Sequence, residues 1–445
     1  MNRIPHTWEI TTLGIVARIR NGYAFKSTEF TSTGVPLVRQ SNLSGDTVDL
    51  SKCAHLPASY LQEFNRFSLK KGDILIGMSG SVGKLCIFNQ DIVALQNQRT
   101  GKIELVSQYE CSERYVWHFL KTIEDQLLEK SKGVAVANVS AEDIQSVPFA
   151  LAPLAEQKRI ADKLDTILTR VDAVNTRLAR VAPLLKRFRQ SVLAAATSGR
   201  LTEDWRNGEP TDWTAMRADV ACDKVQSGGT PKAGFADAGV PFLKVYNIVD
   251  QRIDFDYKPQ FVTNEVQGSE LRKSQVQPDD VLMNIVGPPL GKVAIVPSDH
   301  PAWNINQAIT LFRPSDRVSA RWIYIVLCEG APIREILNST KGSVGQVNIS
   351  LSQCRAFEFP VPSSDEQVEI VRRVDTLFAF ADRLEARLQV AQTATDRLTP
   401  SLLAKAFRGE LVPQDPNDEP ASELLKRLAA APATLTRKRR SKTTS

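Results

Sequence analysis

The chain has 445 residues, 42% of them hydrophobic and 24% charged, with a formal net charge of +6. That is about three domains' worth of sequence at roughly 150 residues each, and the composition excludes a wholly disordered or fibrous chain. So small a net charge permits a nucleic-acid partner without demanding one, because clustering of the positive residues decides that question.

Met1 to Leu13 lacks the apolar run of a signal peptide, and no stretch approaches the roughly 20 apolar residues of a membrane span, so a cytoplasmic location is expected. The cysteines, Cys53, Cys86, Cys111, Cys222, Cys328 and Cys354, form no C-x-x-C pair and read as reduced, mostly buried thiols. Residues 8–152 read as a mixed α/β block, with a strand at Asp73–Gly77 and helical sequence from Arg114 to Lys130. The segment Gly77 to Leu85 superficially suggests a phosphate-binding loop. It fails because Met78 stands where that loop needs glycine, and Leu85 cannot supply the hydroxyl that holds magnesium. What remains is a Gly/Ser-rich turn whose N–H groups could meet a phosphate, or simply a tight turn between strands.

From Gln157 to Ser198 the apolar residues Ile160, Leu164, Ile167, Val171, Val174, Leu178, Val181, Leu185, Phe188 and Val192 alternate spacings of four and three. This is a 3.5-residue seam, and the segment would be about 60 Å long if wholly helical. Residues 213–362 form a second α/β block, with a strand at Asp280–Met283 and helical sequence from Ala320 to Leu337. Its segment Asn284 to Leu290 resembles an amino-methyltransferase motif only partly. Gly287 replaces the acceptor residue before Pro288-Pro289 and Leu290 replaces the aromatic that would stack a flipped base. A second seam follows in Ile370, Val374, Leu377, Ala381, Leu384, Leu388, Ala391, Leu398 and Leu402, with Thr395 in the remaining slot. A kink or break is expected near Pro183 and Pro400. Pro413–Pro420 reads as linker, Ala421–Ala430 as a short helix, and Arg437 to Lys442 as a basic tail.

The chain repeats itself. Ala155-Glu156-Gln157 recurs as Asp365-Glu366-Gln367, Leu164-Asp165-Thr166 as Val374-Asp375-Thr376, and Gly199-Arg200-Leu201 as Gly409-Glu410-Leu411, all at one constant displacement. Upstream the displacement drifts, pairing Gly34-Val35-Pro36 with Gly239-Val240-Pro241, Gly83-Lys84 with Gly291-Lys292, Asn97-Gln98 with Asn306-Gln307, and Asn138-Val139-Ser140 with Asn348-Ile349-Ser350. Each half is therefore a variable block followed by a length-locked helix. The expected fold is mixed α/β: two globular recognition domains joined by two long antiparallel coiled-coil helices, as a pseudo-twofold internal repeat. The expected divisions are 1–152, 153–200, 201–212, 213–362, 363–412 and 413–445.

No two-histidine metal face, G-x-S-x-G elbow or dinucleotide fingerprint is present, so no catalytic, cofactor-binding or metal-binding residue is assigned. A stiff spacer with two unlike readers suits duplex DNA, whose faces recur about every 34 to 36 Å. The side chains suited to base edges and phosphates are Arg39, Gln40, Asn42, Lys84, Asn97, Gln98 and Arg99 in the first block. In the second they are Lys244, Asn247, Asn284, Lys292, Asn306 and Gln307. The competing expectations are a stand-alone DNA methyltransferase or nuclease, and a coiled-coil interaction scaffold that does not bind DNA.

Over essentially its whole length the chain resembles the DNA-specificity subunit of type I restriction-modification systems. The resemblance is carried by Pro148 to Ile160 with its echo Phe359 to Gln367, and by the helix ends Ser191 to Ala196 and Ser401 to Leu411. Ser363 and Ser364 depart from Pro153 and Leu154 of the first copy. The resemblance implies two target-recognition domains, a bipartite asymmetric duplex target, and docking of two modification subunits that methylate adenine with S-adenosylmethionine. It also implies restriction subunits that use ATP and magnesium, and no cofactor and no membrane bound by this chain.

Overall fold

The computed structural model describes residues 4–131, 138–232, 234–339 and 348–430. The expected basic tail lies outside them. Six helices organise the chain: α1 (Glu113–Leu120), α2 (Leu154–Ala179), α3 (Val181–Thr197), α4 (Ala320–Glu329), α5 (Ser364–Ala406) and α6 (Ala421–Ala430). Two compact units result, one made of residues 1–177 with 391–445 and the other of residues 178–390. The units therefore cut across both long helical segments, and each combines one α/β block with helix from both repeats.

In the first unit a six-stranded sheet runs in the order Ala17–Asn21, Thr100–Leu105, Ile74–Gly77, Leu85–Ile87, Thr47–Val48, Leu43–Ser44. A four-stranded sheet runs Ala54–Leu56, Val35–Val38, Ala94–Gln96, Ser68–Leu69, and its middle pair is parallel. The first and last strands of the block, Glu9–Thr12 and Pro148–Leu151, close on each other antiparallel, with Glu9 opposite Leu151. The second unit repeats the plan. Lys224–Ser227, Ile309–Arg313, Val281–Asn284 and Val293–Ile295 form one sheet, and Phe261–Val262, Val240–Leu243, Trp303–Ile305 and Gln275–Val276 the other. Thr214–Arg217 closes on Glu358–Val361 with Thr214 opposite Val361. Gly22 and Gly228 show how tightly the two sheets of each block meet. A Cβ at Gly22 would lie 2.3 Å from the Gln96 carbonyl oxygen, and one at Gly228 2.1 Å from that of Asn306.

Both expected strands form, at Ile74–Gly77 and Val281–Asn284. The two expected helical stretches are each interrupted. Lys121–Ile123 separates α1 from a second short helix, Glu124–Lys130, and Gly330, at φ +84°, ends α4 before a further helix at Ala331. A residue without Cβ reaches that left-handed conformation at no steric cost. All six cysteines are free thiols, four of them buried. Burial pushes Cys111 and Cys222 up to about 12, which makes them inert packing groups.

The heptad segment breaks at Arg180, between α2 and α3. The cause is Pro183, whose ring clashes with the carbonyl four residues back, at Ala179, while its missing N–H is tolerated in the first turn of α3. At Pro400 no break follows: α5 runs from Ser364 to Ala406 with the proline inside it. Beyond the proline, Leu403 and Ala406 are buried in the core of the first unit, and this packing holds the last turns in helical register. Of the expected seam, Ile160, Leu164 and Val171 are buried in the first unit and Leu185, Val192, Ile370, Val374, Ala381 and Leu388 in the second. Val174 and Leu398 are instead 41% and 44% exposed, so the seam is not continuous as expected. Within the second unit α3 runs antiparallel to the first part of α5, with Arg189 paired to Asp382 at 2.6 Å and to Glu385 at 2.8 Å, and Asp204, beyond α3, paired to Arg373.

The length-locked Glu-Gln pairs join block to helix. Glu156, 1% exposed, accepts from Trp8 Nε1 at 2.9 Å and from Gln414 Nε2 at 2.6 Å. Glu366 accepts from Trp213 Nε1 at 2.8 Å and from Thr202 Oγ1 at 2.7 Å, and pairs with Arg206. Gln157 Nε2 donates to the Ala152 carbonyl and its Oε1 accepts from the Ser112 N–H, while Gln367 engages Pro362 and Ser319 in the same way. Ser112 and Ser319 cap α1 and α4, so one glutamine fixes both the block's last strand and its helix.

Candidate nucleic-acid interface

In each block two neighbouring parallel strands end side by side, and the loops that leave their carboxyl ends carry most of the expected contact residues. In the first block Val35–Val38 leads to Arg39–Asn42 and Ala94–Gln96 leads to Asn97–Arg99. In the second, Val240–Leu243 leads to Lys244–Asn247 and Trp303–Ile305 to Asn306–Gln307. The two frames share their anchoring bonds. Asn97 N donates to Val38 O at 3.0 Å, and Asn306 N to Leu243 O at 3.0 Å. Arg39 N donates to Asn42 Oδ1 at 3.0 Å, and Lys244 N to Asn247 Oδ1 at 3.0 Å. Carboxyl ends of parallel strands are where open sheets present ligand-binding loops, and here they present amide and cationic side chains.

Arg39, Gln40, Asn97, Gln98 and Arg99 come together around a groove of about 320 Å³ that also touches Phe25, Ser27 and Phe30. Among the described residues no acidic side chain lines it. Gln98 and Arg99 are exposed, and among the described residues neither Arg39 nor Arg99 is in an ion pair. The Arg39 guanidinium sits over the Phe30 ring, 5.6 Å from its centroid, and its Nε and the Gln40 Oε1 are buried with no hydrogen-bond partner. In the second block the Lys244 ammonium lies 4.4 Å from the centroid of Phe235, which is 44% exposed. Thr230 Oγ1 donates to Gln307 Oε1 at 2.6 Å, and Asn306 Oδ1 is buried without a partner. Exposed amide and cationic side chains such as Gln98, Arg99 and Gln307, gathered beside the ring-stacked cations, suit a polyanion with polar edges.

Three expected contact residues turn inward instead and are corrected here to structural braces. Asn42, 4% exposed, accepts from Arg39 N and donates to Asp49 O at 3.0 Å. Asn247, wholly buried, donates to Asp254 O at 3.0 Å and Tyr257 O at 2.9 Å. Asn284, 1% exposed, donates to Pro289 O and accepts from Lys292 N, bracing the turn between two strands. Their amides are spent on backbone that would otherwise be unpaired. Asn97 is also nearly buried, its Oδ1 facing Arg99 N. Lys84 lies half-buried at the end of the 77–84 turn and is not among the residues lining the groove, and Lys292 lies half-buried at the end of the 284–292 turn of the second block. The first of these turns still abuts the groove: a Cβ on Gly80, at φ +74°, would sit 2.7 Å from Gln40 Nε2.

Sequence reasoning missed the rings beneath the cations. The available signal was the repeat itself, since Phe30 and Phe235 stand nine residues before Arg39 and Lys244, in step with Gly34 and Gly239.

The family model described as type I restriction modification DNA specificity domain matches residues 5–182 and again 210–391. The chain belongs to that family. Among curated relatives, the specificity subunit of the type I restriction enzyme EcoBI of Escherichia coli is 31% identical, the match covering 92% of this chain and 88% of that one. The StySPI specificity subunit of Salmonella potsdam is 29% identical over 93% and 92%. Two solved structures share the fold. One, from a study of complex assembly in a type I restriction-modification system, has a TM-score of 0.71 at 19% identity, covering 92% of this chain and all of that one. The HsdS subunit of Thermoanaerobacter tengcongensis has a TM-score of 0.57 at 20% identity over 92% and 98%. This specificity subunit thus carries the recognition domain twice, and the two matched loop frames are one in each copy. Among its described residues no helix is long and apolar enough to cross a membrane.

Proposed function

We propose that this specificity subunit reads a bipartite, asymmetric duplex DNA target, one part with each block, and performs no chemistry of its own. The observation that carries the reading is the pair of matched frames, each with a cation over a phenylalanine ring and an Asn-Gln pair on the adjoining loop. Equivalent frames with non-identical side chains suit two related but unequal half-sites. Arg39, Gln40, Gln98 and Arg99 contact one half-site and Lys244, Asn306 and Gln307 the other, with Lys84 and Lys292 at the flanking backbone. Methyl transfer from S-adenosylmethionine to adenine then belongs to two modification subunits, and ATP- and magnesium-dependent cleavage to restriction subunits. All of them are recruited through the helical repeats and their flanks.

Two experiments test this. The purified chain should bind duplex DNA with an affinity that falls steeply with salt, and should transfer no methyl group from S-adenosylmethionine until modification subunits are added. Exchanging residues 8–152 for the matching block of another family member should change one half of the target and leave the other. Sustained methylation by the isolated chain, or a simultaneous change in both halves, refutes the proposal.

A further inference from the structure

The two loop frames share their anchoring hydrogen bonds but not all their side chains, and the differences fall at a few positions. The shared set is a cation on a phenylalanine, Arg39 on Phe30 and Lys244 on Phe235, together with Asn97-Gln98 and Asn306-Gln307. The unlike set follows from the same register. Gln40 and Ser41 are replaced by Val245 and Tyr246, and Arg99 by Ala308.

An Arg-to-Lys exchange is not conservative where a guanidinium fork must grip two acceptors on one base, but it is tolerated where a point charge meets a phosphate. The aromatic ring beneath each cation limits its rotamers without neutralising it. The shared cations therefore have the character of backbone anchors. The unlike positions have the character of base readers. Gln40, half-buried on the groove wall beside the Gly80 turn, and Arg99, exposed at the rim of the same groove, carry the amide and guanidinium that pair with purine edges. Val245, partly buried against the core of its block, and Ala308, half-buried, put apolar side chains at those places, suited to the methyl group of thymine.

We propose that Gln40, Ser41 and Arg99 in the first block, and Val245, Tyr246 and Ala308 in the second, are the residues that make the two half-sites differ, while Arg39 and Lys244 anchor the phosphate backbone alike in both. Gln40 and Arg99 select purine hydrogen-bonding edges, and Val245 and Ala308 thymine methyl groups. This rests on the reading of the loops as DNA-contacting, and the experiment separates the two.

The test is selection of bound duplexes from a randomised pool, using the full chain with its modification subunits and sequencing what is retained. The triple graft Val245→Gln, Tyr246→Ser, Ala308→Arg should alter only the second half-site, moving it toward the first, and weaken binding to the original target about 5- to 150-fold. The reciprocal graft Gln40→Val, Ser41→Tyr, Arg99→Ala, and the single exposed change Arg99→Ala, guard against a misfolded first variant. Arg39→Ala and Lys244→Ala should each weaken specific and unrelated duplexes by the same factor and lower the salt slope by about 0.9. An enriched target left unchanged by every folded graft overturns this inference alone, as does a base-specific loss at Arg39 or Lys244. No enriched sequence even for the unsubstituted chain overturns the DNA-contacting role of the loops and this inference with it.

Discussion

Trp8 donates its indole N–H to the buried carboxylate of Glu156 at 2.9 Å, and the same bond recurs in the second unit between Trp213 and Glu366 at 2.8 Å. Each carboxylate stands at the start of a long helix and takes its remaining donors from the segment that follows the other long helix. In the first unit that donor is Gln414, and in the second the donors are Thr202 and Arg206. A block, its own helix and the end of the partner repeat are thus tied at one point. The first unit consequently depends on residues more than two hundred positions away, whereas the second is contiguous.

Removal of residues 413–445 should destabilise the first unit and spare the second. The deletion takes away Gln414 from Glu156, Asp418 from Arg159, and the buried face of α6, which includes Ala421, Leu424 and Leu428. Two buried leucines at about 1.5–3 kcal/mol each and one bond to a buried carboxylate bring the expected loss to about 5 kcal/mol or more. Hydrogen exchange should accelerate across strands Glu9–Thr12 and Ala17–Asn21 while Thr214–Arg217 and Lys224–Ser227 keep their protection. Equal acceleration in both sets would contradict this dependence.

The two tryptophans should not be equally costly to replace. Trp8→Phe leaves Glu156 with Gln414 as its remaining side-chain donor, whereas Trp213→Phe leaves Glu366 with Thr202 and Arg206. A hydrogen bond to a buried charge is worth about 1.5–3 kcal/mol. The first substitution should approach the upper end of that range and the second the lower, as read from the urea midpoints of the two variants.

Acid should weaken the first unit through His118. This side chain is 3% exposed and meets Asp165 at 2.6 Å. Burial pulls it below the ordinary imidazole value, and the Asp165 carboxylate opposes that pull without reversing it. The unfolded chain therefore takes up the proton first. The stability contribution is complete above about pH 6.5 and is lost as pH falls through the lower folded value, with a slope of at most about 1.4 kcal/mol per pH unit. His118→Gln keeps a donor toward Asp165 and removes the titration, so its stability should vary less over this range. Ile325 occupies the matching place in α4, which makes the second unit an internal control.

The repeat, both α/β blocks and the helix periodicity were legible in the sequence because they rest on local spacing. The break at Arg180 was also legible, since Pro183 acts within its own turn. The continuity of α5 through Pro400 was not: buried Leu403 and Ala406 outweigh a local propensity, and their core is supplied by residues far away in sequence. Among the expected contact residues, Gln98 and Arg99 lie exposed. Asn42 and Asn247 have the same chemistry as base-reading amides, and only the fold reveals that backbone groups at Asp49 and Asp254 already occupy them. Trp8 and Trp213 open their blocks at matching places, a signal present in the repeat but silent until the carboxylates they bind are seen.

Bracing and contact roles should separate cleanly in a pair of substitutions within the first block. Asn42→Ala strips the Arg39 N–H and the Asp49 carbonyl of their shared partner in a buried place. It should cost about 1–3 kcal/mol of stability and, by loosening the loop that carries Arg39 and Gln40, also weaken duplex binding. Gln98→Ala changes an exposed side chain, so stability should stay within about 0.5 kcal/mol while duplex affinity falls. Thermal melts and salt-resolved binding curves on the same preparations provide both readouts. A destabilised Gln98→Ala, or an Asn42→Ala chain that melts like the original, would show that the two residues have been assigned each other's work.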